Sequence, residues 1–216
     1  MNKLKYLVVG TGRCGTKYTA EVLRSVGVRC GHEGVFELGE LEHAKQVLTD
    51  ELWDAESSWL AVPFLEDSMF DDTTIVHLVR HPARVIPSQL RRHYGFEKGK
   101  WYEFRRKHLP TLEHYDEQWI RAAHFYIEWN RKIETCGRPV IFHRIKDDIH
   151  ELLERLHLDY VGKKLFDDET CNSRSRRRQV AVDLEALPES LRGQMMRIQE
   201  RYGYADRTIW IRGLRY

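Results

Sequence analysis

The start of the chain carries the pattern that most restricts its fold: a short apolar run that enters a glycine-rich loop. Leu4–Val9 is mostly apolar and ends at Gly10, as expected of a strand that is buried on both faces of a parallel sheet. The loop Gly10–Tyr18 follows, and the next pattern predicts a helix over Lys17–Ser25, which Gly27 stops. The chain therefore begins with a strand, a tight loop and a helix.

Strand and helix patterns alternate along the rest of the chain. β-branched residues predict a strand over Thr74–Val79. Apolar positions three and four apart predict a long amphipathic helix over Leu112–Ile133. The alternation predicts an α/β fold with a mostly parallel central sheet and helices on both faces, in a single domain over residues 1–216. The other predicted elements are strands at Val28–Cys30, Trp59–Val62 and Pro139–Phe142, and helices at Leu38–Asp54, Pro82–Tyr94, Asp147–Leu156 and Leu187–Tyr202.

The loop Gly10–Tyr18 combines several features that favour an anion. Glycines let the backbone turn sharply and come close to a ligand. The helix start that follows offers unpaired N–H groups and a partial positive charge, and Arg13 and Lys17 add full charges. A plain glycine-rich turn is the alternative, but three glycines, two cations and a threonine at one junction favour the binding of a phosphate or sulfate.

This loop is not the P-loop of a nucleoside triphosphatase. That motif needs a lysine directly after its last glycine, and then a serine or threonine that holds Mg²⁺. Here Gly15 is followed by Thr16, and Lys17 by Tyr18. An ATP-dependent kinase or phosphotransferase is therefore disfavoured, and Mg²⁺-dependent binding of ATP would revive it.

A second motif begins where the predicted strand Thr74–Val79 ends. Arg80-His81-Pro82 follows the strand, and Ser88 stands eight residues after Arg80, about two turns into the next predicted helix. An arginine fork and a serine hydroxyl both suit a phosphate. Ligands of parallel sheets bind at the carboxyl ends of the strands, which is where both motifs fall.

Together the two motifs resemble those of the sulfotransferase superfamily, whose donor is 3′-phosphoadenosine 5′-phosphosulfate. The segment Arg13-Cys14-Gly15-Thr16 is similar to the Arg-Ser/Cys-Gly-Thr core of bacterial and carbohydrate-modifying members. Strand, Arg-x-Pro and serine at plus eight resemble the 3′-phosphate motif, in which Asp or Asn usually stands at the position of His81. The resemblance implies a P-loop NTPase-like three-layer sandwich that transfers a sulfuryl group to an acceptor hydroxyl or amine.

The resemblance also implies roles for individual residues. Arg13 would steady the leaving bridging oxygen, because arginine stays protonated at physiological pH. Arg80 and Ser88 would hold the 3′-phosphate. The residues that would surround the 5′-phosphosulfate are Gly12, Arg13, Cys14, Gly15, Thr16, Lys17 and Tyr18.

A cluster of arginines precedes the last predicted helix, at Arg174, Arg176, Arg177 and Arg178. Charge runs are usually solvated. The resemblance implies that one of Arg174, Arg176 or Arg177 reaches the 3′-phosphate. Binding of RNA by a non-catalytic module is the rival use, but the cluster lacks interleaved aromatic residues and the formal net charge is only +2. No nucleic-acid partner is therefore predicted.

Transfer to a hydroxyl needs a base within hydrogen-bonding reach of that hydroxyl. The segment of residues 30–34, Cys-Gly-His-Glu-Gly, lies where related members carry an acidic residue or a histidine near the acceptor. Glu33 is the first candidate and His32 the second. The alternatives that stay open are His77, His81 and Asp67.

The remaining expectations concern partners and compartment. No apolar run approaches the roughly 18–20 residues of a membrane span, and the four cysteines are far apart, as is typical of free thiols in a reducing compartment. The sequence thus predicts a cytoplasmic protein without a membrane span, and no metal, since its histidines lack metal-binding spacing. The resemblance implies a carbohydrate or small molecule as the first choice of acceptor, and a lipid, a phenol and a peptide tyrosine stay open. The chain is short for the family, so a homodimer that completes the acceptor pocket is an open alternative.

Overall fold

The computed structural model describes residues 3–50, 52–90, 96–166 and 182–204. These residues belong to two compact units. The first is drawn from Met1–Val79 and Lys132–Arg174, and the second from Arg80–Arg131 and Ser175–Tyr216. The sheet and the glycine-rich loop lie in the first unit.

The first unit contains a five-stranded sheet in which all strands are parallel. The strand order is β2-β3-β1-β4-β5. The predicted α/β fold, a parallel sheet flanked by helices, is therefore confirmed, and the sheet is parallel throughout rather than mostly so. The strands are β1 (Tyr6–Val9), β2 (Cys30–His32), β3 (Ala55–Ser57), β4 (Thr74–Val79) and β5 (Val140–Arg144).

Seven α-helices are present in the described part of the chain. None of them is long and apolar enough to cross a membrane. They are α1 (Thr16–Ser25), α2 (Leu41–Asp50), α3 (Pro82–Leu90), α4 (Lys100–His108), α5 (Gln118–Glu134), α6 (Ile149–Arg155) and α7 (Glu189–Arg201). Short 3-10 helices are found at Trp59–Phe64, Ser68–Phe70, Pro110–His114 and Leu184–Ala186.

β1 lies in the centre of the sheet, as its apolar sequence predicts. Leu7, Val8 and Val9 are fully buried, because a central strand of a parallel sheet is covered on both faces. In the register, Leu7 pairs with Glu56 of β3, and Val9 pairs with His77 of β4. The loop that leaves β1 therefore starts from a rigid, fully paired strand.

The prediction of a strand over Trp59–Val62 is wrong. These residues form the 3-10 helix Trp59–Phe64, and the strand β3 lies just before them. Ser58 makes the change of direction: its N–H donates to the carbonyl of Val8 at 2.9 Å, and its side chain accepts from the N–H of Leu60 at 3.1 Å. A short buried helix and a buried strand have the same apolar composition, so periodicity does not separate them.

The long helix predicted over Leu112–Ile133 begins later, at Gln118. Pro110–His114 forms a separate 3-10 helix, and Tyr115 after it is extended, with φ −124° and ψ 132°. The helical part keeps the predicted spacing of buried positions, which are Ala122, Tyr126, Trp129 and Ile133.

Candidate functional site

The glycine-rich loop leaves the sheet where the path of the chain reverses. From β1 the chain passes to β2, two positions away on one side, returns through β3, and crosses to β4 on the other side. In open parallel sheets, ligands bind outside the carboxyl ends of strands at such a reversal. The loop Gly10–Gly15 follows β1, and His32 and Glu33 stand at the carboxyl end of β2.

Gly10 is required because the loop starts in close contact with the neighbouring strand. A Cβ atom at Gly10 would overlap the carbonyl oxygen of Leu78 in β4 and would lie 2.7 Å from Sγ of Cys14. The N–H of Cys14 donates to the carbonyl of Thr11 at 3.2 Å, which closes the loop into a tight turn. No side chain larger than hydrogen fits at position 10 without a shift of the backbone.

Gly15 is required for its backbone conformation. Its φ is +121°, and a Cβ atom there would lie 2.6 Å from Cδ1 of Ile145. Arg13, two residues earlier, also has a positive φ, of 76°, which is uncommon for a residue with a side chain. The loop therefore contains two left-handed positions directly before α1 begins.

Gly12 has no comparable structural reason to be glycine. Its φ is outside the left-handed region, and a Cβ atom there would lie 3.7 Å from the indole ring of Trp59, an ordinary van der Waals distance. The fold would accept alanine at this position. A glycine that the fold does not require is typical of a backbone that a ligand approaches closely.

The start of α1 is suited to an anion. Gly15 is its N-cap residue and makes no side-chain cap hydrogen bond, and the first turn of α1 holds no acidic residue. These N–H groups and the helix dipole favour negative charge. The predicted loop residues differ in exposure: Gly12, Cys14 and Thr16 are buried, Arg13, Gly15 and Tyr18 are half-buried, and Lys17 is exposed.

His32 and Glu33 lie beside this helix start. The Nε2 atom of His32 is 3.3 Å from Oγ1 of Thr16 and 3.8 Å from Oε1 of Glu33. Burial, and then the positive charges of Lys17 and Arg24, lower the pKa of His32 to about 4. The imidazole is therefore neutral at neutral pH.

The lowered pKa of His32 predicts a loss of stability in acid. An unfolded histidine titrates near 6.5, so the unfolded state binds more protons than the folded state between pH 6.5 and about 4. The contribution of His32 is thus full above pH 6.5 and decreases as the pH falls. We expect it to lower the free energy of unfolding by up to about 3 kcal/mol between pH 7 and pH 4.

Urea unfolding of the wild type and of His32→Gln at a series of pH values measures this contribution. The variant is expected to lose less stability in acid than the wild type does. The variant keeps the loss of stability that comes from His124, because burial also lowers the pKa of His124 to about 4. Parallel stability curves for the two proteins would contradict the assignment.

The other candidate bases have structural roles. His77 is buried in β4. The Nδ1 atom of His81 accepts a hydrogen bond from the N–H of Ala83 at 3.1 Å, near the start of α3. Asp67 accepts one from the N–H of Met69 at 2.9 Å and caps a 3-10 helix. His32 lies 3.3 Å from Thr16 and Glu33 lies 3.8 Å from His32, which places both beside the start of α1.

The residues of the second motif lie in the second unit. Arg80 follows β4 directly, and its carbonyl accepts a hydrogen bond from the hydroxyl of Tyr126 at 2.8 Å. Ser88 is buried in α3. The role of Arg80 and Ser88 as ligands of a 3′-phosphate stays a prediction. Arg174 and Arg176, together with the rest of the arginine cluster, lie outside the described residues.

Sequence analysis missed Glu56, which has the most unusual environment near the site. It lies in the middle of β3 and is completely buried. Burial raises the pKa of its carboxyl to about 8, and the negative charge of Glu33 acts in the same direction. An acidic residue inside a predicted strand would have drawn attention to Glu56. Because the strand was predicted at Trp59–Val62 instead, Glu56 fell in a predicted loop.

The comparisons with known proteins do not identify a family. No protein-family model matches the chain, and no curated protein matches it. Within the described ranges, no three His, Cys, Asp or Glu side chains are arranged to hold a metal ion. The functional conclusion therefore depends on the loop and the residues around it.

Proposed function

We propose that the protein transfers a sulfuryl group from 3′-phosphoadenosine 5′-phosphosulfate to a hydroxyl or amine of a carbohydrate or small molecule. The observation that supports this most is the position of His32, whose Nε2 atom lies 3.3 Å from the hydroxyl of Thr16 at the start of α1. An anion-binding loop alone would suit many nucleotide-dependent proteins. A base beside that loop suits transfer to an acceptor that must lose a proton.

The loop residues would bind the 5′ end of the donor. The N–H groups at the start of α1 and the charges of Arg13 and Lys17 would hold its negative oxygens. Gly12 would let the donor approach the backbone closely, since nothing in the fold requires glycine there. Arg80 and Ser88 would bind the 3′-phosphate, an assignment that comes from the sequence resemblance alone.

The proposed reaction forms one bond to sulfur and breaks another. A lone pair of the acceptor oxygen or nitrogen forms the new bond, and the bond between sulfur and the bridging oxygen breaks. Its electron pair stays on that oxygen, which leaves as part of adenosine 3′,5′-bisphosphate. The acceptor proton goes to His32, and the carboxylate of Glu33, 3.8 Å from Nε2, stabilises the imidazolium. Arg13 and Lys17 stabilise the negative charge that develops on the leaving group.

Calorimetric titration with adenosine 3′,5′-bisphosphate tests the donor site. We expect the wild type to bind it without Mg²⁺, and Arg80→Ala to bind it at least about tenfold more weakly, since a charge-assisted contact is lost. The matched control is Arg84→Ala, which removes an exposed arginine from the first turn of α3. Its affinity for the bisphosphate is expected to stay within about twofold of that of the wild type.

Either of two results would contradict the proposed function and favour another one. Binding of ATP with Mg²⁺ but not of the bisphosphate would make a kinase or other phosphotransferase the better function. Strongly salt-dependent binding of RNA, with no preference for a nucleotide that bears a 3′-phosphate, would indicate a non-catalytic nucleic-acid module.

A further inference from the structure

Glu56 fills a space that a glycine leaves open in the neighbouring strand. In the register of the sheet, Glu56 of β3 pairs with Gly31 of β2 on one side and with Leu7 of β1 on the other. A Cβ atom at Gly31 would overlap Oε2 of Glu56 and would lie 3.0 Å from its Cδ. The carboxyl group therefore lies against the Cα atom of Gly31, and the two residues fit only as a pair.

The carboxyl group of Glu56 is poorly satisfied for a buried polar group. Among the described residues, neither of its oxygens has a hydrogen-bond partner of ordinary geometry. The backbone N–H groups of Glu33, Gly34 and Val35 lower the pKa of this carboxyl and partly offset the effect of burial. Burial of a polar group without a full set of partners is unfavourable, so an acidic residue at this position needs an explanation.

The turn that follows β2 contains Glu33 and comes directly after His32, the two candidate bases. Residues 33–35 follow His32 directly at the end of β2. Glu33 has a left-handed backbone, with φ 60°, and its N–H donates to the carbonyl of Ser57 at 3.3 Å. A non-glycine residue keeps such a conformation only where its surroundings hold it. Val35, which is fully buried, fixes the other end of the turn.

We propose that Glu56 is a positioning residue: its carboxyl group, which lies against the Cα atom of Gly31, supports the end of β2 and the turn of residues 33–35 that follows, and so directs His32 and Glu33 towards the acceptor. Through its contact with Gly31 the carboxyl group keeps the end of β2 in place, and β2 holds the imidazole of His32 beside Thr16. This inference rests on the proposed function, because it treats His32 and Glu33 as the groups that meet the acceptor.

A merely space-filling role for Glu56 makes a different prediction. An apolar side chain of similar size would then replace it without any effect on the turn, and removal of a poorly satisfied carboxyl group would even stabilise the protein. A positioning role requires an oxygen that accepts hydrogen bonds at this place. Glu56→Leu and Glu56→Gln therefore separate the two roles, because the glutamine amide keeps an acceptor oxygen and leucine does not.

NMR spectra of the full chain test the inference without any need for activity. In Glu56→Leu we expect the backbone amide resonances of residues 33–35 to move and the pKa of His32 to rise by about one unit or more, as the ring leaves its buried place. In Glu56→Gln both are expected to stay close to the wild type. Turnover is expected to fall at least about tenfold in Glu56→Leu, while affinity for adenosine 3′,5′-bisphosphate changes by less than about twofold.

The outcomes distinguish this inference from the proposed function. Unchanged His32 titration and unchanged amide resonances in Glu56→Leu would overturn the positioning role, whatever the protein binds. Absence of bisphosphate binding by the wild type would overturn the proposed function and would leave the NMR comparison valid. If Glu56→Leu does not fold, Glu56→Asp decides: its shorter side chain withdraws the carboxyl from the turn, and an unchanged His32 titration in that variant would overturn the inference as well.

Discussion

Gly10→Ala is expected to destabilise the protein by about 3–5 kcal/mol, whereas Gly12→Ala is expected to change stability by less than about 1 kcal/mol. The two residues belong to the same loop, but only Gly10 lacks room for a side chain. Its Cβ atom would overlap the carbonyl oxygen of Leu78, which belongs to β4, a paired neighbour of β1. Relief of this overlap would require the two strands to separate at their carboxyl ends.

Gly12 provides the matched control for this effect, because an added Cβ atom would meet only the ring of Trp59, at 3.7 Å. Urea unfolding, followed by circular dichroism, gives the free energy of unfolding of both variants. We also expect Gly12→Ala to remain folded and yet to bind adenosine 3′,5′-bisphosphate at least about tenfold more weakly, since its methyl group adds bulk to the backbone that the donor is proposed to approach. Similar losses of stability in the two variants would show that the contact with β4 is not the reason why Gly10→Ala destabilises the protein.

The loop and the central strand were predictable because their signals are local. Three glycines between an apolar run and a helical pattern require a tight strand-to-helix connection, whatever the rest of the chain does. The structure has β1 at Tyr6–Val9 and α1 at Thr16–Ser25, within about two residues of the predicted bounds. Anion binding by the same residues stays a prediction, with which the glycine N-cap of α1 is compatible.

The surroundings of Glu56 were not predictable, because they depend on the pairing of distant strands. Gly31 and Glu56 become neighbours only through the register of β2 and β3, and the sequence does not contain that register. The three-residue strand β3 was also missed, because the apolar run that begins at Trp59 resembles a strand more strongly. The choice between His32 and Glu33 depended on tertiary structure in the same way, since burial and nearby cations lower the pKa of His32.

The close fit of Gly31 and Glu56 predicts strong energetic coupling between the two positions. Gly31→Ala alone is expected to cost about 2–3 kcal/mol, because the new methyl group would displace a completely buried carboxyl group. In a Glu56→Ala background the same change is expected to cost less than about 1 kcal/mol, since the methyl group enters space that the carboxyl has left. The coupling energy of the double-mutant cycle should therefore be about 2 kcal/mol.

The pH at which this cycle is measured matters, because the contribution of Glu56 to the stability of the protein depends on pH. Its folded pKa of about 8 lies above the unfolded value of 4.5, so its protonated form stabilises the folded state at low pH, and this contribution is lost as the pH rises from 4.5 to about 8. At pH 5, therefore, the folded states of the wild type and of Gly31→Ala both contain a neutral Glu56. Gly34→Ala is the matched control, since a Cβ atom there would meet nothing within 4 Å. A coupling energy below about 0.5 kcal/mol at pH 5 would mean that the carboxyl group of Glu56 moves aside without cost. A side chain that is displaced so easily would be unable to hold the end of β2 and, with it, His32.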